Sequence, residues 1–359
     1  MSKITPYLGE LLNRELIELD NAAIPDSIRD ARIVITGAGG SLGSTLARTL
    51  LDCGIRGLAL VENHENSLFH LRHAMAERIR DSGVPTRFVL ADVRDVRKMR
   101  RVMADFRPDI LFHLAAYKHV PLAEEFPEEF VLMNILGTWN LSRLARENNV
   151  RKLVYPSTDK AVRSPSVYGV TKRTIELMLQ TLATEEETTQ FTVVRLVNVL
   201  GAHGGVIETF VRQICADQPI TITHPDMTRY WITISEALYL LIQAAGSKAS
   251  GNVLLLDMGE PIKVDEVAHK LWRLLRPGEG ELQPAYVGIR PGERLSEELA
   301  EPAERIVATN TPGILEIKRT GGRSYALSDF VTHLDMLEEL ARAGLADELR
   351  RHLFTFVGA

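Results

Sequence analysis

Arg32-Ile-Val-Ile-Thr36-Gly37-Ala-Gly-Gly40-Ser41-Leu42-Gly43 is the stretch that decides the fold. An unbroken apolar run with β-branched residues reads as a buried strand. The glycines permit a tight turn, and Ser41 to Cys53 then follows with helical spacing. Such a turn lets backbone N–H groups approach a pyrophosphate, which the helix N-terminus stabilises. The spacing G-x-x-G-x-x-G departs from the general G-x-G-x-x-G fingerprint. Its place after the first strand of an alternating series still marks Gly37, Gly40, Ser41, Leu42 and Gly43 as a cofactor turn.

The alternation continues outward from that turn. Leu58 to Glu62, Arg87 to Ala91, Ile110 to Leu114 and Lys152 to Pro156 read as further buried strands. Helix-length segments separate them: Glu65 to Ser82, Val96 to Phe106 and Glu124 to Asn149. Thr192 to Val197 and Val253 to Asp257 add later strands. Continuous apolar strands alternating with helices predict an α/β fold built on a doubly wound parallel sheet.

Glu62, at the end of the second strand, can accept hydrogen bonds from an adenosine ribose and repel a 2′-phosphate, which favours NAD over NADP. Arg56 or His64 could still accommodate a phosphate. Asp92 and Val93 follow the third strand, where adenine is expected. Ala115 and Ala116 follow the fourth, with small side chains where a ribose would pass. His113 reads as a structural histidine.

After about Gly201 the regularity breaks, and Pro, Gly and Arg become more frequent. The expected organisation is an N-terminal arm over 1–30 and a dinucleotide-binding domain over 31–200, completed by about 221–260. A smaller discontinuous substrate-binding lobe takes 201–220 and 261–320, and a helical C-terminal tail takes 321–359.

At 359 residues the chain exceeds one minimal domain, and 45% hydrophobic content supports a sizeable core. A net charge of -5 argues against a nucleic-acid partner, and the basic run from Arg94 to Arg101 reads as a solvated helix face. Cys53 and Cys215 are too few and too far apart for a disulfide framework or a metal site, so no metal is expected. The sequence shows neither a signal peptide nor the ~20 apolar residues of a membrane span. The expectation is a soluble cytoplasmic protein.

Chemistry concentrates between Thr158 and Lys172. Tyr168 and Lys172, spaced i,i+4, share one face of a helix. There an ammonium can lower the pKa of a phenol that ordinarily titrates near ~10. Thr158-Asp159-Lys160 lies just upstream, at the carboxyl end of a strand, where α/β sites form. An Asp–Lys pair is more than alcohol oxidation alone requires.

These residues resemble the extended short-chain dehydrogenase/reductases from Arg32 to Leu299. Within them the chain resembles the polysaccharide-biosynthesis UDP-N-acetylglucosamine 4,6-dehydratases, in a soluble form lacking the membrane domain. The resemblance rests on Ala115-Ala-Tyr-Lys-His-Val-Pro-Leu-Ala-Glu124, Thr158-Asp-Lys-Ala-Val162, Asp226-Met-Thr-Arg-Tyr-Trp-Ile-Thr233, Leu256-Asp-Met-Gly-Glu-Pro-Ile-Lys263 and Ile289-Arg-Pro-Gly-Glu-Arg-Leu-Ser-Glu-Glu298. Leu11 to Glu15 and Leu19-Asp20 resemble the linker that follows the membrane domain in larger members. Those larger members usually replace the tyrosine at the position of Tyr168; short soluble members keep it.

The resemblance implies a Rossmann-like fold, a tightly bound NAD or NADP regenerated each turnover, UDP-N-acetylglucosamine as substrate, and a homo-oligomer (dimer or hexamer). It implies that Tyr168 takes the 4-hydroxyl proton, assisted by Lys172 and oriented by Thr158. Lys160, if neutral, removes H5, and Asp159, if protonated, donates to the departing 6-hydroxyl. Tyr168 and Lys172 also contact the cofactor. Lys118, Asn198, Arg229, Arg290, Glu293 and Glu297 are the candidates for binding the nucleotide sugar. Family members typically carry R-x-G-N-V-x-G-S-R-G-S-V-I-P where this chain has Arg195-Leu-Val-Asn-Val-Leu-Gly-Ala-His-Gly-Gly-Val-Ile-Glu208. Arg163-Ser-Pro-Ser166 likewise replaces an N-P-x-N segment. Both changes bear on the substrate more than on the reaction. A nucleotide-sugar epimerase or C4 oxidoreductase would use Tyr168 and Lys172 alone, and a non-catalytic dinucleotide sensor would need neither.

Overall fold

The computed structural model describes residues 4, 7–19, 24–185, 188–322 and 324–358. Asp20 of the linker-like Leu19-Asp20 pair, and part of the arm expected over 1–30, lie outside the described residues. The frame is a nine-stranded sheet. Its strands are β1 (Arg32–Thr36), β2 (Gly57–Glu62), β3 (Thr86–Leu90), β4 (Ile110–His113), β5 (Lys152–Thr158), β6 (Gln190–Leu196), β7 (Asn252–Leu256), β8 (Glu304–Ala308) and β9 (Ile314–Arg319). They lie in the order 8-9-7-6-5-4-1-2-3. The strands from β3 to β7 run parallel, while β9 pairs antiparallel with β7 and β8 with β9. This is the Rossmann-like doubly wound α/β fold, and the strand order reverses between β1 and β4, where such sheets place ligands.

The helices that matter here are α1 (Ser41–Leu50), α2 (Glu65–Ser82), α3 (Val96–Phe106), α4 (Gly137–Glu147), α5 (Val167–Glu185), α6 (Val206–Cys215), α7 (Ile234–Gly246), α8 (Val264–Leu275), α9 (Leu327–Arg342) and α10 (Ala346–Val357). Local chemistry fixes their ends. Asp95 caps α3 by accepting from the Lys98 amide at 3.0 Å. Thr233 and Glu236 form a capping box at the start of α7. Arg14 of the N-terminal segment reaches that same Glu236 with both guanidinium nitrogens, at 2.5 and 3.0 Å.

Two hydrophobic cores coexist. The larger lies across the main sheet and includes Phe330, Leu334, Leu349 and Leu353 of α9 and α10. The smaller gathers Phe210, Ile214, Trp231, Val267 and Leu271 from α6, the Trp231–Thr233 strand and α8. Leu11 and Leu12 of the N-terminal segment belong to this second core.

Three expectations change. The lobe expected to run to residue 320 gives up β8 and β9, which extend the main sheet because their backbones pair beside β7. The N-terminal segment is no free arm: Leu11 and Leu12 are 2% and 3% exposed against the smaller lobe. The helix expected from Glu124 to Asn149 is divided into Val120–Glu125, Pro127–Phe130, a π-helical turn over Val131–Leu136, and α4. Among the described residues no helix is long and apolar enough to cross a membrane.

Candidate active site

A cavity of about 690 Å³ opens at the carboxyl ends of β1, β4 and β5. Its floor is the glycine turn, with Gly37, Gly40, Ser41, Leu42 and Gly43 all on the wall. Gly37 has φ +66°, and a Cβ there would lie 2.7 Å from the Ala115 nitrogen. No side chain caps α1 above Gly40, so its first amides face outward, as a phosphate requires. A narrower groove of about 260 Å³ shares Gly37, Gly40 and Ala116 with the cavity and runs past Ala115, Glu62 and Val93.

Glu62 organises this groove more than it lines it. Its carboxylate accepts from the Gly39 amide at 2.9 Å, the Asn63 amide at 3.1 Å and the His64 amide at 3.0 Å. Asp92 accepts from Asn63 and from Arg94 and does not line the groove; Val93 does. His113 is fully buried, with Nδ1 2.7 Å from Thr36 Oγ1 and Nε2 3.0 Å from Thr138 Oγ1. Burial, with the Lys172 charge adding to it, pushes its pKa down to about 3, so it is neutral and structural.

The opposite wall carries Thr158, Lys160, Tyr168 and Lys172. Strand β5 delivers Thr158 and the short turn Asp159–Ala161 delivers Lys160; α5 delivers Tyr168 and Lys172. A Cβ on Gly169 would collide with the Lys160 carbonyl and Ser164, which is why α5 can pack so closely on that turn.

The charge arrangement departs from expectation. Lys172 Nζ donates to Tyr155 Oη at 2.8 Å and to the Pro156 carbonyl at 2.9 Å. Burial pulls its pKa down to about 7, with Glu176 opposing. The Tyr168 phenol is not lowered as expected: burial pushes it up to about 12. The cation that draws it down is Lys160, with Asp159 opposing and the Thr158 hydroxyl helping.

The condition set for Lys160 as a base, that its amine be neutral, is opposed by its surroundings. Burial lowers its pKa, but Asp159 and Glu297 more than offset that, and the balance is upward. Its Nζ lies 3.0 Å from Asp159 Oδ1 and 3.6 Å from Glu297 Oε1. Asp159 is fully buried and stands behind Lys160 rather than on the cavity wall. Its Oδ1 accepts from the Thr158 hydroxyl at 2.9 Å and from Lys160, an arrangement that orients the lysine, while its Oδ2 is buried with no hydrogen-bond partner among the described residues.

The six substrate-binding candidates divide. Lys118 and Asn198 line the cavity. Lys118 Nζ donates to the His203 carbonyl at 2.5 Å, and the His203 amide donates to Ser41 Oγ at 2.9 Å, so the altered loop after β6 reaches over the glycine turn. Arg229, Arg290, Glu293 and Glu297 do not line it. Arg229 is spent on the carbonyls of Thr228, Arg294 and Leu295, which corrects its assignment to a diphosphate. Glu297 is turned inward to Lys160; Arg290 is exposed, and Glu293 is half-buried.

Sequence reasoning missed three residues. Tyr155 anchors Lys172, though as one more apolar-strand residue it carried no signal. Asn134, buried in the π-helical turn, accepts from the Tyr117 amide at 2.8 Å and donates to the Tyr117 carbonyl at 3.0 Å, fixing the loop that bears Lys118. Trp231 lines the cavity and is 3% exposed.

Comparison with known proteins places this geometry in a family. Residues 33–319 match the model of a family described as "Polysaccharide biosynthesis protein". The chain is 41% identical over 297 residues to the Staphylococcus aureus capsular polysaccharide biosynthesis protein CapD, covering 82% of this chain and 49% of that protein. It therefore spans about half the length of that relative. It is 30% identical over 269 residues to the inverting UDP-N-acetylglucosamine 4,6-dehydratase of Campylobacter jejuni, covering 74% of this chain and 76% of that one. The crystal structure of UDP-glucose 4-epimerase from Thermotoga maritima, determined with UDP-glucose, superposes with a TM-score of 0.65 at 22% identity, over 75% of this chain and 89% of that one. The chain belongs to the polysaccharide-biosynthesis protein family.

Proposed function

We propose that the chain is a nucleotide-sugar 4,6-dehydratase acting on UDP-N-acetylglucosamine and holding NAD or NADP, with NAD favoured. The observation that carries this reading is the meeting of Lys160 with Tyr168 and Lys172 on one cavity wall that continues into the glycine turn. An epimerase of the same fold has use for Tyr168 and Lys172 but none for a lysine held between Asp159 and Glu297.

The turn from Gly37 to Gly43 and the open end of α1 would hold the pyrophosphate, and Glu62 and Val93 would border the adenosine. The bound dinucleotide supplies the reversible hydride acceptor that oxidation at C4 and reduction at C6 require.

Tyr168, once its phenol has given up its own proton, takes the proton of the sugar 4-hydroxyl, with Thr158 orienting the same oxygen. Lys172, anchored by Tyr155 and Pro156, supplies positive charge beside the reacting centre. The C4 ketone acidifies H5. Lys160, once it has given up its proton, accepts H5 and returns a proton to the departing 6-hydroxyl, so that water leaves across C5–C6. Asp159 holds Lys160 in line for both transfers. The product is a 4-keto-6-deoxy sugar, with no net redox change.

The test is incubation of purified protein with UDP-N-acetylglucosamine in heavy water, read by mass and proton spectra. Loss of water with deuterium at C5 is the expected result. Isomerisation without water loss would replace this reading with an epimerase. Absence of turnover across UDP-, GDP-, CMP- and dTDP-sugars would leave a dinucleotide-binding sensor.

A further inference from the structure

Glu297 faces Lys160, not a nucleotide. Its Oε1 stands 3.6 Å from Lys160 Nζ, while Asp159 Oδ1 stands 3.0 Å from the same nitrogen. The Glu297 side chain is only 4% exposed, so water does little to satisfy it. Its other cation is Arg229, whose Nε lies 3.9 Å from Oε1. Buried carboxylates require such partners.

The segment that presents Glu297 is fastened in place. Arg229 donates to the Leu295 carbonyl at 3.2 Å and to the Arg294 carbonyl at 2.9 Å. Arg294 in turn donates to the Val162 carbonyl at 2.9 Å, two residues beyond Lys160. Three stretches of chain therefore converge to hold one carboxylate against one ammonium. A carboxylate that served only to bind substrate would face the cavity, and this one does not line it.

The groups facing Lys160 come from every neighbouring element. Asp159 shares its turn, and Glu297 comes from the 291–299 segment. Arg229 comes from the Thr228–Arg229 strand, and Tyr168 from α5. Asp159 and Glu297 favour the ammonium, whereas burial and Arg229 oppose it. Lys160 can accept H5 only after losing its proton, so the carboxylates decide the pH at which it becomes a base.

We propose that Glu297 is a positioning residue that sets the protonation of Lys160 from outside the cavity. The proposal rests on the dehydratase reading for its consequence in turnover, but the effect on Lys160 itself is measurable without any substrate.

Lys160 is 23% exposed, enough for a small reagent to reach its amine. The experiment is competitive acetylation of Lys160 across a pH series, quantified by mass spectrometry, in the wild-type protein and in Glu297→Gln and Glu297→Asp. In Glu297→Gln the pH of half-reaction is expected to fall by about one unit or more, as loss of one adjacent opposite charge implies. Glu297→Asp, with its carboxylate drawn back, should fall by less. An unchanged midpoint in either folded variant would overturn the proposal. The pH dependence of C5 deuterium uptake is then expected to move in the same direction and by a similar amount. If the wild-type protein dehydrates no nucleotide sugar, the dehydratase reading fails, while the acetylation midpoints still decide the role of Glu297.

Discussion

Lys172 Nζ donates to Tyr155 Oη at 2.8 Å, which anchors the ammonium to strand β5 and not to Tyr168, its neighbour one helical turn earlier. Both partners are buried, and Lys172 is 3% exposed. Replacing Tyr155 by Phe keeps the ring in the core and removes one of two acceptors. The expected cost is ~1.5–3 kcal/mol, the range for hydrogen bonds to charged groups. The Lys172 pKa should drop further below its value of about 7, since the ammonium loses a partner. Urea unfolding measures the first effect, and the alkaline limb of the pH–rate profile, moved to lower pH because Lys172 acts as the ammonium, measures the second.

The two halves of the proposed chemistry separate by mutation. Tyr168→Phe is expected to lower C4 oxidation by ~10²–10⁴-fold, the usual contribution of a positioned acid or base. Lys160→Ala should leave that oxidation measurable, as a transient of reduced nicotinamide absorbance, while C5 deuterium uptake falls by a similar factor. Equal loss of both signals in Lys160→Ala would show that the lysine is needed before elimination begins.

Arg195 is fully buried between two acids. It contacts Glu176 at 3.1 and 2.6 Å and Glu304 at 3.0 Å, and Arg173 closes the network on the same two carboxylates. The network ties α5 to β6 and β8. Arg195→Met strands two buried carboxylates beside a single remaining cation, with an expected loss of ~3–5 kcal/mol. Burial raises the Glu304 pKa, but Arg195 and Arg173 outweigh it and bring the carboxyl from 4.5 down to about 2. A folded-state pKa below the unfolded one stabilises the protein fully above about 4.5, and that stability is lost as pH falls towards 2. Urea midpoints measured from neutral to acid pH should therefore decline in this window for the wild-type protein. The decline should be smaller in Arg195→Met, because without Arg195 the folded-state pKa of Glu304 moves back up toward its unfolded value and less stability remains to be lost.

The doubly wound half was legible because strands buried on both faces are written as continuous apolar runs. Ile33 to Ile35 and Leu58 to Val61 are all at or below 1% exposed. Strand β8 was not legible: it is an edge strand whose Arg305, Ile306 and Ala308 face solvent, so no apolar run marks it. The break in the helix expected from Glu124 was hidden because helix-forming residues also build the short segments and the π-helical turn. In the site, Thr158, Lys160, Tyr168 and Lys172 were found because they are close in sequence. The partners that hold the two lysine amines, Tyr155 and Glu297, were missed or mis-assigned. Their contacts depend on how β5 and the 291–299 segment are brought against α5 and the turn at Lys160, which no local pattern encodes.

The C-terminal tail is expected to tune the catalytic helix through one carboxylate. Glu124 Oε1 accepts from the Val167 amide at 2.8 Å, at the first residue of α5 and one residue before Tyr168. Glu124 Oε2 accepts from Arg350 Nη1 of α10 at 2.7 Å, and the same guanidinium also donates to the Glu124 carbonyl. Arg350→Ala leaves Leu349 and Leu353 in the core, so the tail should stay docked. The Arg350 and Glu124 side chains are 30% and 19% exposed, so solvent screening holds the expected loss to ~1–2 kcal/mol. Glu124→Ala should cost ~0.5–2 kcal/mol for the uncapped helix and, because Tyr168 follows the capped residue, should lower kcat more than it changes KM. A double-mutant cycle settles whether the two act as a unit: a coupling of ~0.5 kcal/mol or more is expected, and strict additivity would show that α10 does not reach Tyr168 through Glu124.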